Sequence, residues 1–231
     1  MPPSTPPTQG RAVHLPSAAA LVVADLHVGR AAASNAGPLL DERADLRERL
    51  AAVVAATDPE TVVLAGDLLH RFGTPRARAV GTLRTLAGRI RAAGARPVAV
   101  AGNHDGGLDD AWPGPVHDAY RLADGTVVCH GHEAPATDAA RYVCGHVHPA
   151  LTVEGDKRDC FLWTESGYRD RPTLVLPAFS AVAAGVRVER RDDVDSPLVS
   201  TLDAARPGVV ADGETLWFPP LSDLRPHLRR R

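Results

Sequence analysis

Lysine is almost missing from this chain of 231 residues, where Lys157 stands alone among 26 basic side chains. That bias toward arginine, with abundant alanine, reflects genome composition and carries no chemistry. No apolar run reaches the eighteen or so residues of a membrane span, because Asp, Gly or Pro interrupts each one within a few positions. Excess charge is lacking too: a formal net charge of -2 sets up no global basic field for nucleic acid, although a local groove escapes that argument. Cysteine is scarce and odd in number. Cys129, Cys144 and Cys160 have no paired spacing and lie in or beside apolar, strand-like runs, which reads as buried thiols in a reducing compartment. The proline-rich start, Met1 to Gly10, offers neither the basic flank nor the apolar core of a secretory signal. A soluble, cytoplasmic chain is the expectation.

What is present is an ordinary globular balance, 44% apolar and 23% charged, which argues for one substantial core rather than disorder. Ala20 to Ala24 is an apolar run ending in Asp25, and Asp41 to Thr57 follows with helical spacing. The pattern repeats as Thr61 to Ala65 ending in Gly66-Asp67, then a helical stretch from Pro75 to Ala93. A third strand, Pro97 to Ala101, ends in Gly102-Asn103-His104-Asp105. Beyond this the rhythm shortens, with Asp124-Gly125 marking a hairpin between Ala119 to Leu122 and Thr126 to Cys129. Further strands are expected at Tyr142 to Cys144, Leu151 to Val153, Cys160 to Trp163, Thr173 to Leu176 and Val186 to Glu189. Together these predict a mixed α/β fold of sheets with outer helices. Residues 1–12 read as a disordered leader, 13–190 as the catalytic domain, and 191–231 as a loosely ordered C-terminal extension with one docked apolar patch around Leu216 to Phe218.

Metal-ligand residue types recur at the ends of these strands: Asp25-Leu26-His27, Gly66-Asp67, Gly102-Asn103-His104-Asp105, His130-Gly131-His132 and Gly145-His146-Val147-His148. Side chains two apart in an extended segment point the same way, so Asp25 with His27, and His146 with His148, can each grip one site. The glycines let the backbone turn and leave space where ligands are delivered. Imidazole, carboxylate and one amide, with no thiolate, suit manganese, iron, zinc or nickel. Seven such groups exceed what one tetrahedral ion uses and suit two ions sharing a carboxylate.

Those motifs, in that order, resemble the calcineurin-like metallophosphoesterases. The resemblance implies a four-layer α-β-β-α sandwich of two packed mixed sheets flanked by helices. It also implies two divalent ions, manganese foremost. Asp25, His27 and His148 would hold one, Asn103, His130 and His146 the other, and Asp67 would bridge them. Asp25-Leu26-His27-Val28-Gly29 and Gly66-Asp67-Leu68-Leu69-His70 look like the SbcD-type repair nucleases, in which the histidine three after the bridging aspartate contacts phosphate; His70 takes that place here. Gly145 to Pro149, Asp159 to Leu162 and Leu176 to Phe179 look like a short archaeal SbcD-related branch, a likeness that extends to Gly185. The chain is much shorter than the large nucleases, which argues against processive DNA degradation.

His14, His117 and His227 sit in no motif and read as surface or core residues. His132 competes with His130 for one ligand position; His130 is favoured because it directly ends its strand. Arg30 beside the first motif reads equally as a contact for an anionic substrate and as a solvated side chain. His104 is expected to protonate the leaving oxygen, with Asp105 orienting its ring. The partner expected is a phosphate ester, with DNA among the candidates, and no membrane. Hydrolysis of phosphodiesters leads; a small-molecule phosphomonoesterase or cyclic-nucleotide phosphodiesterase is the second reading, and a non-catalytic scaffold the third.

Overall fold

The computed structural model describes residues 5–30, 41–70, 76–211 and 213–228. One sheet contains β1 (Thr8–Gln9), β2 (Ala12–Leu15), β3 (Ala20–Ala24), β4 (Thr61–Ala65), β5 (Arg96–Val100) and β6 (Val116–His117), in that spatial order. From β3 to β6 neighbours are parallel, while β1, β2 and β3 pair antiparallel. Parallel neighbours need crossovers, and the helices α1 (Glu42–Thr57) and α2 (Ala77–Ala92) supply the first two. Every residue of β3 and β4 is buried, as a central strand covered on both faces requires.

Helix α1 starts where Asp41 accepts the backbone N–H groups of Arg43 and Ala44, and it ends at Asp58 in a left-handed cap. Its buried stripe, Leu46, Leu50, Val53 and Val54, meets Leu83, Leu86, Ala87 and Ile90 of α2 in one core against the outer face of this sheet. Pro75, expected at the head of the second helix, lies outside the described residues. The short α3 (Leu108–Ala111) precedes β6.

The other sheet holds β7 (Ala119–Arg121), β8 (Thr126–Cys129), β9 (Arg141–Cys144), β10 (Pro149–Val153), β11 (Asp156–Thr164), β12 (Thr173–Val175) and β13 (Val186–Arg187), in the order β13-β10-β11-β12-β9-β8-β7. It is mixed: β9 is parallel to β8 and β12, and β10 to β13, whereas the remaining pairs on this path are antiparallel. The two sheets pack face to face through Val22, Val63, Val100, Val143, Phe161 and Trp163. An outer layer over the second sheet includes Leu198, Leu202 and Leu221. The α/β architecture of two mixed sheets with helices is thus present.

Among the described residues, both terminal stretches contain regular structure. Within the stretch assigned to a leader, Thr8 and Gln9 pair with Val13 and Ala12. Within the extension, β14 (Arg206–Ala211) pairs with β11 and with β15 (Glu214–Trp217), and α4 (Leu221–Leu228) buries Leu221. The physical reason is edge pairing: β11 is nine residues long and offers β14 a free flank, which short-range periodicity does not reveal.

Candidate metal centre

Strands β3, β4 and β5 run parallel, so their C-terminal ends lie side by side and present Asp25, Asp67 and Asn103 along one edge. Strands β8 and β9 do the same from the second sheet, presenting His130 and His146. The strands stop one residue or more before each ligand-type side chain. Asp25, His27, Asp67, His146 and His148 all adopt the left-handed region, with φ of 57°, 45°, 46°, 68° and 47°. The expectation that extended alternation aims the i, i+2 pairs is therefore corrected: sharp left-handed turns do so. Non-glycine residues rarely adopt this conformation, and such strain gathers at functional sites. Hydrogen bonds over-determine it here: Asp25 N donates to Gly66 O (3.1 Å), His27 N to Asp67 O (2.8 Å), and Ser180 N to Asp25 O (3.3 Å).

The side chains converge. His27 Nε2 lies 3.2 Å from His148 Nε2 and 3.9 Å from Asp67 Oδ2. His130 Nε2 is 2.9 Å from Asn103 Oδ1, 3.1 Å from His146 Nδ1 and 3.4 Å from Asp67 Oδ1. Asp25 Oδ1 sits between His148 Nε2 (3.4 Å) and His130 Nδ1 (3.5 Å). All seven residues predicted as ligands are thus gathered in one place. Two groups have atoms close enough to share an ion: Asp25, His27 and His148, and Asp25, Asp67 and His130. His130 lies within the second of these groups, while the His132 ring lies 5.1 Å from that of His130 and 6.0 Å from that of His146.

Glycine makes this convergence possible. A Cβ on Gly145 would collide with Asp25 Oδ2 and Ala24 Cβ, and one on Gly102 with the backbone and carboxylate of Asp67. Backbone and carboxylate approach so closely that His146 N donates to Asp25 Oδ2 at 3.0 Å.

Asp25 is 0% exposed, and its Oδ1 accepts no hydrogen bond among the described residues. A buried carboxylate left like that is costly unless a cation meets it. Burial also pushes the pKa of Asp67 up to about 7, opposed by the His104 backbone N–H and reinforced by the charges of Asp25 and Asp105. Burial, then the neighbouring His148 and Arg30, hold His27 down at about 2. Burial, then His146 and His132, do the same for His130. Both rings are therefore neutral lone-pair donors at ordinary pH, the form in which imidazole binds a metal. For His148 burial opposes charge, but Asp25 outweighs it and raises the pKa. The donor set fits divalent transition ions.

His104 and His70 stand on the His27 side, with ring centroids 6.0 and 5.7 Å from that ring. The His104 backbone N–H donates to Asp67 Oδ1 at 2.9 Å, coupling its loop to the shared carboxylate. The expected role of Asp105 is corrected: its oxygens accept the N–H groups of Leu69 (2.8 Å), Gly102 (2.8 Å) and Leu68 (3.2 Å), so it staples two ligand loops instead of holding the His104 ring. Burial, then the charges of Arg30 and His148, lower the pKa of His104 as well. All three cysteines are free and buried, and burial pushes the Cys129 thiol up to about 12. The sequence reading missed Asp195 and Ser196, which approach the site from beyond every motif and carry no local signature.

No curated protein matches this chain in sequence. Among solved structures, the nuclease MPE of Pseudomonas putida aligns with a TM-score of 0.61 at 23% identity, over 90% of this chain and 92% of that one. YfcE, a phosphoesterase from E. coli, aligns with a TM-score of 0.46 at 18% identity, over 87% of this chain and 98% of that one. No helix among the described residues is long and apolar enough to cross a membrane. The calcineurin-like phosphoesterase signature matches residues 19–172, a span that contains every motif from Asp25 to His148, and the chain belongs to that family.

Proposed function

We propose that this protein hydrolyses phosphodiesters with two divalent cations, manganese foremost, and that its substrates include nucleic acid. The observation that carries the reading is the pair of buried carboxylates, Asp25 and Asp67, delivered by the first sheet and each within 3.5 Å of an imidazole nitrogen delivered by the second. Asp25, His27 and His148 would hold one cation, Asn103, His130 and His146 the other, with Asp67 between them. When bound, such ions supply an activated water as nucleophile and neutralise charge on the phosphoryl oxygens.

The chain's own residues do the rest. His104, which is half-buried, would give a proton to the leaving oxygen. His70, on the same side, contacts the phosphate, and Arg30 adds positive charge there. Asp105 keeps the Leu68-Leu69 and Gly102 backbones in register, so the loops carrying Asp67 and Asn103 move as one. The likeness of Asp25 to Gly29 and Gly66 to His70 to repair nucleases favours diesters over monoesters.

The test is a manganese-supplemented panel of bis-p-nitrophenyl phosphate, p-nitrophenyl phosphate, cyclic nucleotides and single-stranded DNA. Diesters should be turned over fastest. His104→Ala should lower kcat on them by about 10²–10⁴-fold, the usual worth of a positioned proton donor, while retaining both manganese equivalents. Parallel loss of metal in that variant would refute the assignment of His104.

A further inference from the structure

Beyond the family-matched span, one buried hydroxyl reaches the backbone turn beside His130. Ser196 is only 7% exposed, and its Oγ donates to Gly131 O at 2.7 Å, across 65 residues of chain. Gly131 lies between His130 and His132 with φ 110°, a conformation open to glycine and strained for other residues. A buried carbonyl in such a turn needs a donor. The neighbouring carbonyl, His130 O, accepts from Gly145 N at 2.9 Å. The turn that aims His130 is therefore tied from two sides, by the second sheet and by the C-terminal segment.

That segment is itself fixed. Leu198 and Leu202 are fully buried in the outer core, and Tyr168 N donates to Leu198 O at 3.1 Å. On the other side Arg225 donates to Arg191 O. Between these anchors the chain forms one wall of a groove of ≈ 530 Å³ lined by His146, Val147, Val186, Arg191, Asp193 and Asp195, among others. Asp195 Oδ2 lies 4.0 Å from His146 Nε2, while the same ring turns Nδ1 toward His130 Nε2 at 3.1 Å. One dipeptide thus meets the His146 ring through Asp195 and the backbone turn that follows His130 through Ser196.

We infer that Ser196 is a positioning residue for the cation site formed by Asn103, His130 and His146. The inference rests on the proposed function and adds a support to it from the C-terminal segment. Partners that orient a ligand without touching the metal typically govern affinity by about 10–100-fold. Among the described residues no hydrogen bond or ion pair joins Ser196 to Asp25, His27 or His148, so the site they form should not respond.

The experiment is titration of metal-free protein with manganese by calorimetry, in wild type, Ser196→Ala and Ser196→Thr. Wild type should bind two equivalents. Ser196→Ala should weaken one of them by about tenfold or more and leave the other unchanged, with Ser196→Thr restoring it through the retained hydroxyl. The metal-free Ser196→Ala protein should still fold and should melt roughly 2–12 °C below wild type, as expected when one buried carbonyl loses its donor in a chain of this size. Two unaltered equivalents in Ser196→Ala, or equal weakening of both, would overturn the positioning role alone. A wild-type protein that binds no second equivalent would overturn the centre and this inference together.

Discussion

The two sheets contribute unlike chemistry to one centre. The first delivers both buried carboxylates, Asp25 and Asp67, together with His27 and Asn103; the second delivers imidazoles alone, from His130, His146 and His148. Each group of residues able to share an ion draws on both sheets: Asp25 and His27 with His148, and Asp25 and Asp67 with His130. The first sheet would supply the negative charge that attracts cations and the second would complete their coordination. Neither half suffices. The centre is a product of sheet-on-sheet packing, so its affinity depends on the core between the sheets more than on the helix layer outside them.

The largest expected effect separates those two layers. Trp163, fully buried between the sheets, and Leu86, 1% exposed beneath α2, both fill core space. Trp163→Ala should cost about 3–5 kcal/mol and Leu86→Ala about 2–5 kcal/mol. At 2–4 °C per kcal/mol for a chain of this length, Trp163→Ala should lower Tm by roughly 6–20 °C. The comparison lies in the additional rise in Tm on adding manganese, which reports cation affinity for the folded chain. Leu86→Ala should keep that rise, and Trp163→Ala should lose much of it. Equal rises in the two variants would show that the second sheet positions its histidines without help from the shared core.

The same contrast explains what could be read in advance. Strands β3, β4 and β5 alternate with helices, and each is followed by a motif, so the first half was legible from period and punctuation, while the choice of seven ligand candidates among the motif residues came from the family resemblance. Left-handed turns at Asp25, His27, Asp67, His146 and His148 were not, because aspartate and histidine carry no local mark of a conformation imposed by hydrogen bonds from neighbouring loops. Asp105 was misjudged for a related reason: adjacency to His104 suggested a side-chain pair, whereas backbone amides 36 and 37 residues away claim its oxygens. Ser196 and the β14–β15 hairpin were invisible because their meaning comes entirely from long-range pairing with Gly131 and β11.

A smaller effect, and one of opposite sign in two places, should come from adding a single methyl group. At Gly145 the new Cβ meets Asp25 Oδ2 and Ala24 Cβ, where the backbone of one sheet touches the carboxylate of the other. Overpacking there should cost about 1–3 kcal/mol, displace the His146 N–H from its 3.0 Å bond to Asp25, and weaken manganese binding. Gly81 sits in α2 with open space around it, so alanine should stabilise there by about 0.4–1 kcal/mol. Melting curves of Gly145→Ala and Gly81→Ala, each with and without manganese, check both signs. A neutral Gly145→Ala would show that the sheets can part by a methyl group without cost to the centre.

The gentlest probe is pH, which acts on the carboxylate that the two halves share. Burial raises Asp67 from its ordinary 3.8 to about 7, so the folded, metal-free chain holds that proton more tightly than the unfolded chain does. Its contribution to metal-free stability is therefore full below about pH 4 and lost as pH rises through about 7. His27 and His130, held at about 2, act in the opposite direction, resisting protonation and adding stability as pH rises toward their ordinary 6.5. Cation binding needs Asp67 ionised, whereas those two rings are already neutral and release nothing. The manganese-dependent rise in Tm should accordingly be small at pH 5, grow through pH 7 and level off by pH 8. Asp67 alone contributes up to about tenfold in affinity per pH unit, or ~1.4 kcal/mol, below 7, and His148, raised by Asp25, adds in the same direction. Calorimetry in paired buffers of different ionisation enthalpy should record proton release on binding at pH 6 that fades by pH 8. A response flat across that range would mean that Asp67 is already ionised without the metal, and that the first sheet presents its charge before the second closes over it.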